Sequence, residues 1–207
     1  MDFWKIVLLI FFVVLSLFLV EFVKNNNKKK QEIIRKVPHM LIGVILAISP
    51  LYMTKKEILI SALILFLGVW IGKYSPFFKN IFSIKRITYG MWITPISFSL
   101  LAFLWLPENI NSFIFGMLIL AFSDALASLI GVHWGKPKWF LMNKSWAGSF
   151  AFFLTTVFLF YIFPEKNITF QHNILASAFL TIIEIFSIFG LDNITVPFFA
   201  SLLFSIL

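Results

Sequence analysis

The chain has 207 residues, of which 60% are hydrophobic and only 13% charged, with 28 Phe, a formal net charge of +8 and a mean hydropathy of +0.96. That composition excludes an ordinary soluble core and a separate soluble domain, and fits an all-α polytopic membrane bundle occupying residues 1–207 as one domain. Zero cysteines exclude disulfides, thiol catalysis and thiolate metal sites, and the scattered His39, His133 and His172 do not make a zinc cluster.

A bilayer crossing needs roughly 20 apolar residues. In chain order the candidate spans run Phe3 to Val23, Pro38 to Met53, Ile58 to Tyr74, Met91 to Leu106, Phe113 to Val132, Ser149 to Phe163, Ile174 to Gly190 and Ile194 to Leu207. The reading is therefore seven or eight transmembrane helices, the short last segment with Pro197 leaving a half helix open. The first segment lacks the small residues of a cleavage site before Lys24 and is read as a span rather than a signal peptide.

Basic residues sort by loop. Lys24, Lys28, Lys29, Lys30, Arg35 and Lys36 follow the first span, Lys73, Lys79, Lys85 and Arg86 the third, and Lys136, Lys138 and Lys144 the fifth. Only Lys5, Lys55, Lys56 and Lys166 lie elsewhere. The positive-inside rule then puts these three loops in the cytoplasm and the N-terminus outside, in a multi-pass cell-membrane protein. The net charge has two readings, anionic lipid headgroups or a polyanionic ligand.

Within the fifth span stands Asp124, whose presence in an apolar helix costs roughly 2.5 to 3.5 kcal/mol and marks a functional position. At helical spacing Ala121, Asp124, Ser128, Gly131 and Gly135 share one small, polar side. The following loop carries Gly131, Gly135, Lys136, Lys144, Ser145 and Gly148, residue types suited to phosphate oxygens or, equally, to a tight turn. Glu184 is a second carboxylate within a span, and Asp192 with Asn193 follows at the same side. Asp124, Glu184 and Asp192 with Lys144 make a candidate site for metal-bound polyphosphate, Mg²⁺ being the hard ion such oxygens suit. Simple lysine pairing of the same acids is the alternative.

Four segments resemble the polyprenol kinase family of membrane lipid kinases, which includes phytol, dolichol and CTP-dependent diacylglycerol kinases. They are Arg35-Lys36-Val37-Pro38-His39; Arg86-Ile87-Thr88-Tyr89-Gly90; Ser123-Asp124-Ala125 through Gly131 with Gly135-Lys136 and Lys144-Ser145; and Glu184 with Gly190-Leu191-Asp192-Asn193-Ile194-Thr195-Val196-Pro197. The resemblance implies transfer of the terminal phosphate of CTP, with Mg²⁺, to the hydroxyl of a long-chain isoprenoid alcohol or diacylglycerol at the cytoplasmic face. It implies Asp124, Glu184 and Asp192 for metal binding or hydroxyl orientation and His39 for proton transfer. Lys144, Ser145, Lys136, Arg86, Arg35, Lys36, Asn193, Gly131, Gly135 and Gly148 are implied for the nucleotide and its phosphates. The partners are then a membrane lipid and a nucleoside triphosphate, with no nucleic acid and a homodimer left open.

The chain departs from the family pattern in three places, involving four residues. Ala147 stands where a glutamate is common, Ser123 where a glycine is common, and Val132-His133 where a basic residue often follows the glycine. The membrane cytidylyltransferases that make CDP-diacylglycerol show a similar order and are the rival reading, separated by the Leu191-Asp192-Asn193 segment. A non-enzymatic carrier or scaffold is a third, against which stands the lack of an internal repeat.

Overall fold

In the computed structural model the described residues are 2–21, 28–74, 89–139, 144–163 and 169–207. They form eight helices: α1 (Phe3–Glu21), α2 (Lys28–Ile48), α3 (Lys55–Gly72), α4 (Gly90–Trp105), α5 (Ile110–Trp134), α6 (Trp146–Ile162), α7 (Phe170–Phe186) and α8 (Asp192–Ile206). Apart from one isolated bridge between Lys138 and Ser145, the described residues contain no β-structure.

Helix α5 is the central element, because its apolar residues serve two cores on different sides. Phe113 and Met117 pack with Leu9, Leu46, Ile58, Phe98 and Leu101 from α1 to α4. Phe115 and Ile119 pack with Phe152, Phe160, Leu180, Val196 and Phe204 from α6 to α8. Phe115 stacks on Phe204 with centroids 4.3 Å apart and lies 4.5 Å from Phe160, geometry in which aromatic rings attract beyond their buried area. Backbones also approach closely: a Cβ on Gly43 of α2 would lie 2.6 Å from the Cβ of Ala121 of α5. On the other side of α5 a Cβ on Gly116 would lie 2.7 Å from the Pro197 carbonyl of α8.

The helix ends explain two differences from the sequence reading. Helix α3 starts at Lys55 rather than Ile58, because Thr54 and Glu57 form a reciprocal capping box. Helix α2 starts at Lys28 rather than Pro38, so Arg35 and Lys36 stand on the same helix as His39 and not in a loop before it. Its charged turns are stable there because α5 supplies their partners. A third difference lies within α5, where residues Ile119–Asp124 form a π turn, a wider turn that is frequent at functional sites.

The exterior is apolar. Phe11, Leu63, Phe103, Phe150, Phe158 and Leu175 are all exposed, and extended exposed apolar surface marks a membrane or partner face. Lys30–Leu51 and Ile110–Trp134 are long and apolar enough to cross a membrane. Both features are consistent with a membrane protein.

Candidate functional site

Glu32, Arg35, Lys36 and His39 are spaced to share one face of α2, and Leu120, Asp124 and Ser128 share one face of α5. The two helices run antiparallel, so these faces meet in register. Lys36 Nζ bonds Asp124 Oδ2, with both side chains buried. His39 Nε2 lies 3.3 Å from the same carboxylate oxygen and 3.2 Å from the Leu120 carbonyl within the π turn. One turn further, Glu32 accepts from Ser128 Oγ and from Arg35, whose guanidinium also donates to Ser128 Oγ at 2.9 Å.

A second group forms where α6, α7 and α8 converge. Lys144, just before α6, donates to Glu184 Oε1 of α7 at 2.5 Å and to Asp192 Oδ2 in the first turn of α8 at 2.9 Å. Ser149 Oγ reaches Glu184 Oε2 at 3.5 Å. Burial alone favours a neutral Lys144 amine, but Asp192, Glu184 and Asp124 outweigh it and hold the ammonium above the ordinary lysine range. The two groups lie on neighbouring elements: α6 and α8 both pack against the π turn that ends in Asp124, and Thr156 Oγ1 of α6 donates to Ser123 Oγ of that turn at 3.0 Å.

The loop residues take more structural places. Ser145 caps α6, its Oγ accepting the Gly148 N–H at 3.1 Å. A Cβ on Gly148 would lie 2.7 Å from the Ala127 carbonyl oxygen and one on Gly131 2.9 Å from Ser145 Oγ, so both glycines allow α5 and α6 to touch. Gly135 ends α5, where a Cβ would collide with the Gly131 carbonyl. Lys136 is exposed on the loop, and Ala147 is half-buried. The single polar side expected from Ala121 to Gly135 is thus divided: Ala121, Asp124 and Ser128 face α2, while Gly131 and Gly135 face the start of α6.

Two of the sequence segments meet in one joint. The Tyr89 N–H donates to the Phe189 carbonyl at 3.0 Å, and Asn193 Nδ2 donates to Thr94 Oγ1 at 3.4 Å while its side chain packs on Gly90. Gly190 has φ +90°, a conformation L-residues avoid, and Phe189 also has positive φ at 55°. This tight turn delivers Asp192 to Lys144. Arg86, a candidate for phosphate by its sequence, lies outside the described residues.

A resident divalent ion needs several hard oxygens in one place. Asp124, Glu184 and Asp192 are the right donors in kind, but Asp124 is engaged by Lys36 and His39, and the other two share Lys144. Among the described residues no three His, Asp or Glu side chains gather as a ligand set. A preformed metal centre does not fit this arrangement.

The sequence reading missed Glu32, Ser149 and Trp139. Glu32 carries a signal, since its distance of three residues from Arg35 places them on one helical face. Ser149 follows the quoted loop segment directly, and Trp139 carries no such signal.

No protein-family model and no solved structure matches the chain. It is 28% identical over 192 residues, 88% of this chain and 82% of the relative, to a phytol kinase of Synechocystis sp.. It is 27% identical over 140 residues, 64% of this chain and 73% of the relative, to an uncharacterized protein of Methanocaldococcus jannaschii. Over 131 residues, 58% of this chain and 62% of the relative, it is 34% identical to an uncharacterized protein of Rickettsia prowazekii. The similarity to the phytol kinase runs through 88% of the chain and supports a phytol kinase-like protein.

Proposed function

We propose that the chain is a multi-pass membrane lipid kinase that transfers the γ-phosphate of CTP to the hydroxyl of a long-chain isoprenoid alcohol, or of diacylglycerol, at the cytoplasmic face. The observation that carries this reading is the placement of the Lys36–Asp124–His39 and Lys144–Glu184–Asp192 groups on neighbouring helices, α6 and α8 both packing against the π turn that ends in Asp124, in a bundle with an apolar exterior. Such a bundle offers a tail environment by the hydrophobic effect, and its cations offer sites for phosphate.

In this reading the lipid hydroxyl oxygen bonds the γ-phosphorus as the bridging oxygen of the nucleotide leaves with its diphosphate. The hydroxyl proton passes to Asp124, with His39 beside it as the next acceptor. Lys144 turns from its carboxylates to the phosphates as they arrive, and Arg35, held by Glu32, supplies a second fork of donors. Mg²⁺ belongs to the incoming nucleotide as part of the substrate.

The test uses the protein in detergent with Mg²⁺, a panel of lipid alcohols, diacylglycerol and phosphatidic acid, and CTP labelled at either the γ or the α phosphate. Label entering the lipid phase from the γ position supports the kinase, and the best acceptor names the substrate. Label entering from the α position with phosphatidic acid overturns it in favour of a cytidylyltransferase. Absence of transfer to every acceptor, from CTP and ATP alike, overturns the enzymatic reading.

A further inference from the structure

Between α5 and α6 the chain folds back on itself. The Trp139 N–H donates to the Lys144 carbonyl at 3.0 Å, the Trp146 N–H to the Pro137 carbonyl at 3.2 Å, and Lys138 bridges Ser145. This pairing brings the indoles of Trp139 and Trp146 into a parallel stack, centroids 3.9 Å apart and 16° between planes. The two rings differ in surroundings. Trp139 is half-buried, and its Nε1–H donates to Ser149 Oγ at 3.1 Å, the hydroxyl that contacts Glu184. Trp146 is 51% exposed. One indole is therefore fixed to the charged site, and the other, two residues from Lys144, presents an open aromatic face.

We propose that the open face of Trp146 is the platform on which the base of a nucleotide stacks while its phosphates meet Lys144. The inference rests on the kinase reading and adds the base subsite to it. An indole braced from behind by a second indole loses little freedom when a base lies on it, and stacking is tolerant of which base arrives because every base has a π face. Lys136 and Lys138, exposed on the same loop, place further positive charge beside the platform for a polyanion. A headgroup anchor is the other use of an exposed indole near a membrane surface, and there the ring N–H faces the wet side. Here one face of Trp146 is covered by Trp139, and Trp139 is tied through Ser149 to Glu184, so the remaining face is held beside the charged site, which favours the nucleotide.

The experiment compares wild type, Trp146→Ala and Trp146→Phe in lipid nanodiscs, measuring affinity for a non-hydrolysable CTP analogue and for inorganic tripolyphosphate. With a base platform, Trp146→Ala weakens the nucleotide about ten-fold or more, leaves tripolyphosphate unchanged, and Trp146→Phe keeps most of the affinity. Equal weakening of both ligands overturns the platform, since the loop has then lost its shape. Unchanged nucleotide affinity, with Trp146 fluorescence quenched by brominated lipid, overturns it in favour of a headgroup anchor and leaves the kinase reading standing. A wild type that binds neither ligand overturns both.

Discussion

Lys36 and Asp124 form an ion pair inside the helix bundle, with side-chain exposures of 4% and 5%. Each is the other's counter-charge, across 88 residues of sequence. Removing one partner leaves an uncompensated charge in an apolar interior, which costs about 3–5 kcal/mol, whereas replacing both with apolar residues is often neutral. Asp124→Asn is therefore expected to lower thermal stability and abolish nucleotide-dependent lipid labelling. The double variant Lys36→Met with Asp124→Leu is expected to recover the stability and not the labelling. Labelling that survives in either variant removes Asp124 from the chemistry.

Lys144 links three helices through Glu184 and Asp192, so Lys144→Met leaves two carboxylates facing each other without a cation. Activity is expected to fall at least about 100-fold, on the scale of losing one preorganised charge contact to a developing anion. Lys144→Arg is expected to restore the ion pairs and, because a planar fork replaces a point charge, only part of the rate. Equal stability and equal rates for Met and Arg would falsify the linking role.

The pH dependence has a definite sign. The Lys144 ammonium is held above the ordinary lysine range in the folded chain, so its contribution to stability is fully present below the unfolded value of about 10.4 and is lost only as pH rises through the higher folded value. Thermal stability measured from pH 7 to pH 10 is expected to show no loss traceable to this group. A drop in that window present in wild type and absent from Lys144→Met contradicts the assignment.

Gly148 sits where α6 touches the Ala127 carbonyl, whereas a Cβ added to Gly68 on α3 would meet nothing within 4 Å. Gly148→Ala is expected to cost about 1–3 kcal/mol through overpacking, and Gly68→Ala to be neutral or to stabilise by up to about 1 kcal/mol through helix propensity. Melting temperatures in one detergent decide between them. The reverse order removes the close contact of α5 and α6.

Because the chain has no cysteine, single cysteines report on topology without background. Three helices, α3, α4 and α5, separate Lys56 from Lys138, and both side chains are exposed. An impermeant maleimide added to intact cells is expected to label Lys56→Cys and to reach Lys138→Cys only after permeabilisation. Labelling of both from one side breaks the proposed orientation.

The sequence made some of this legible and hid the rest for physical reasons. Helices with long apolar runs were readable because length and hydropathy define them, as with α1 and the whole of α5. The first ten residues of α2 were not, since a charged helix that owes its stability to Asp124 and Ser128 looks, from its own residues, like a solvated loop. The π turn at Ile119–Asp124 has no signature in composition. Asp124, Glu184 and Lys144 stood out because charges are rare in apolar surroundings, whereas Glu32 was hidden among its lysine-rich neighbours. Gly131 and Gly148 were visible as glycines, but a residue without a side chain serves phosphate approach and helix contact equally well, and only packing separates the two.

The contact of Gly43 with Ala121 gives α2 and α5 a fulcrum. Only the Ala121 methyl stands between the backbones there, so any tilt of one helix against the other is smallest at that point. His39 and Lys36 are four and seven residues away, about 6 and 10 Å along the axis. A tilt of about 5° therefore moves the Lys36 backbone by only about 1 Å relative to Asp124. Glu32, eleven residues from Gly43 or about 16 Å along the axis, lies on the longer arm, and there its bond and that of Arg35 to Ser128 hold the first turns of α2 to α5, so the two ends of the charged face are fixed by different means, backbone contact at one and hydrogen bonds at the other.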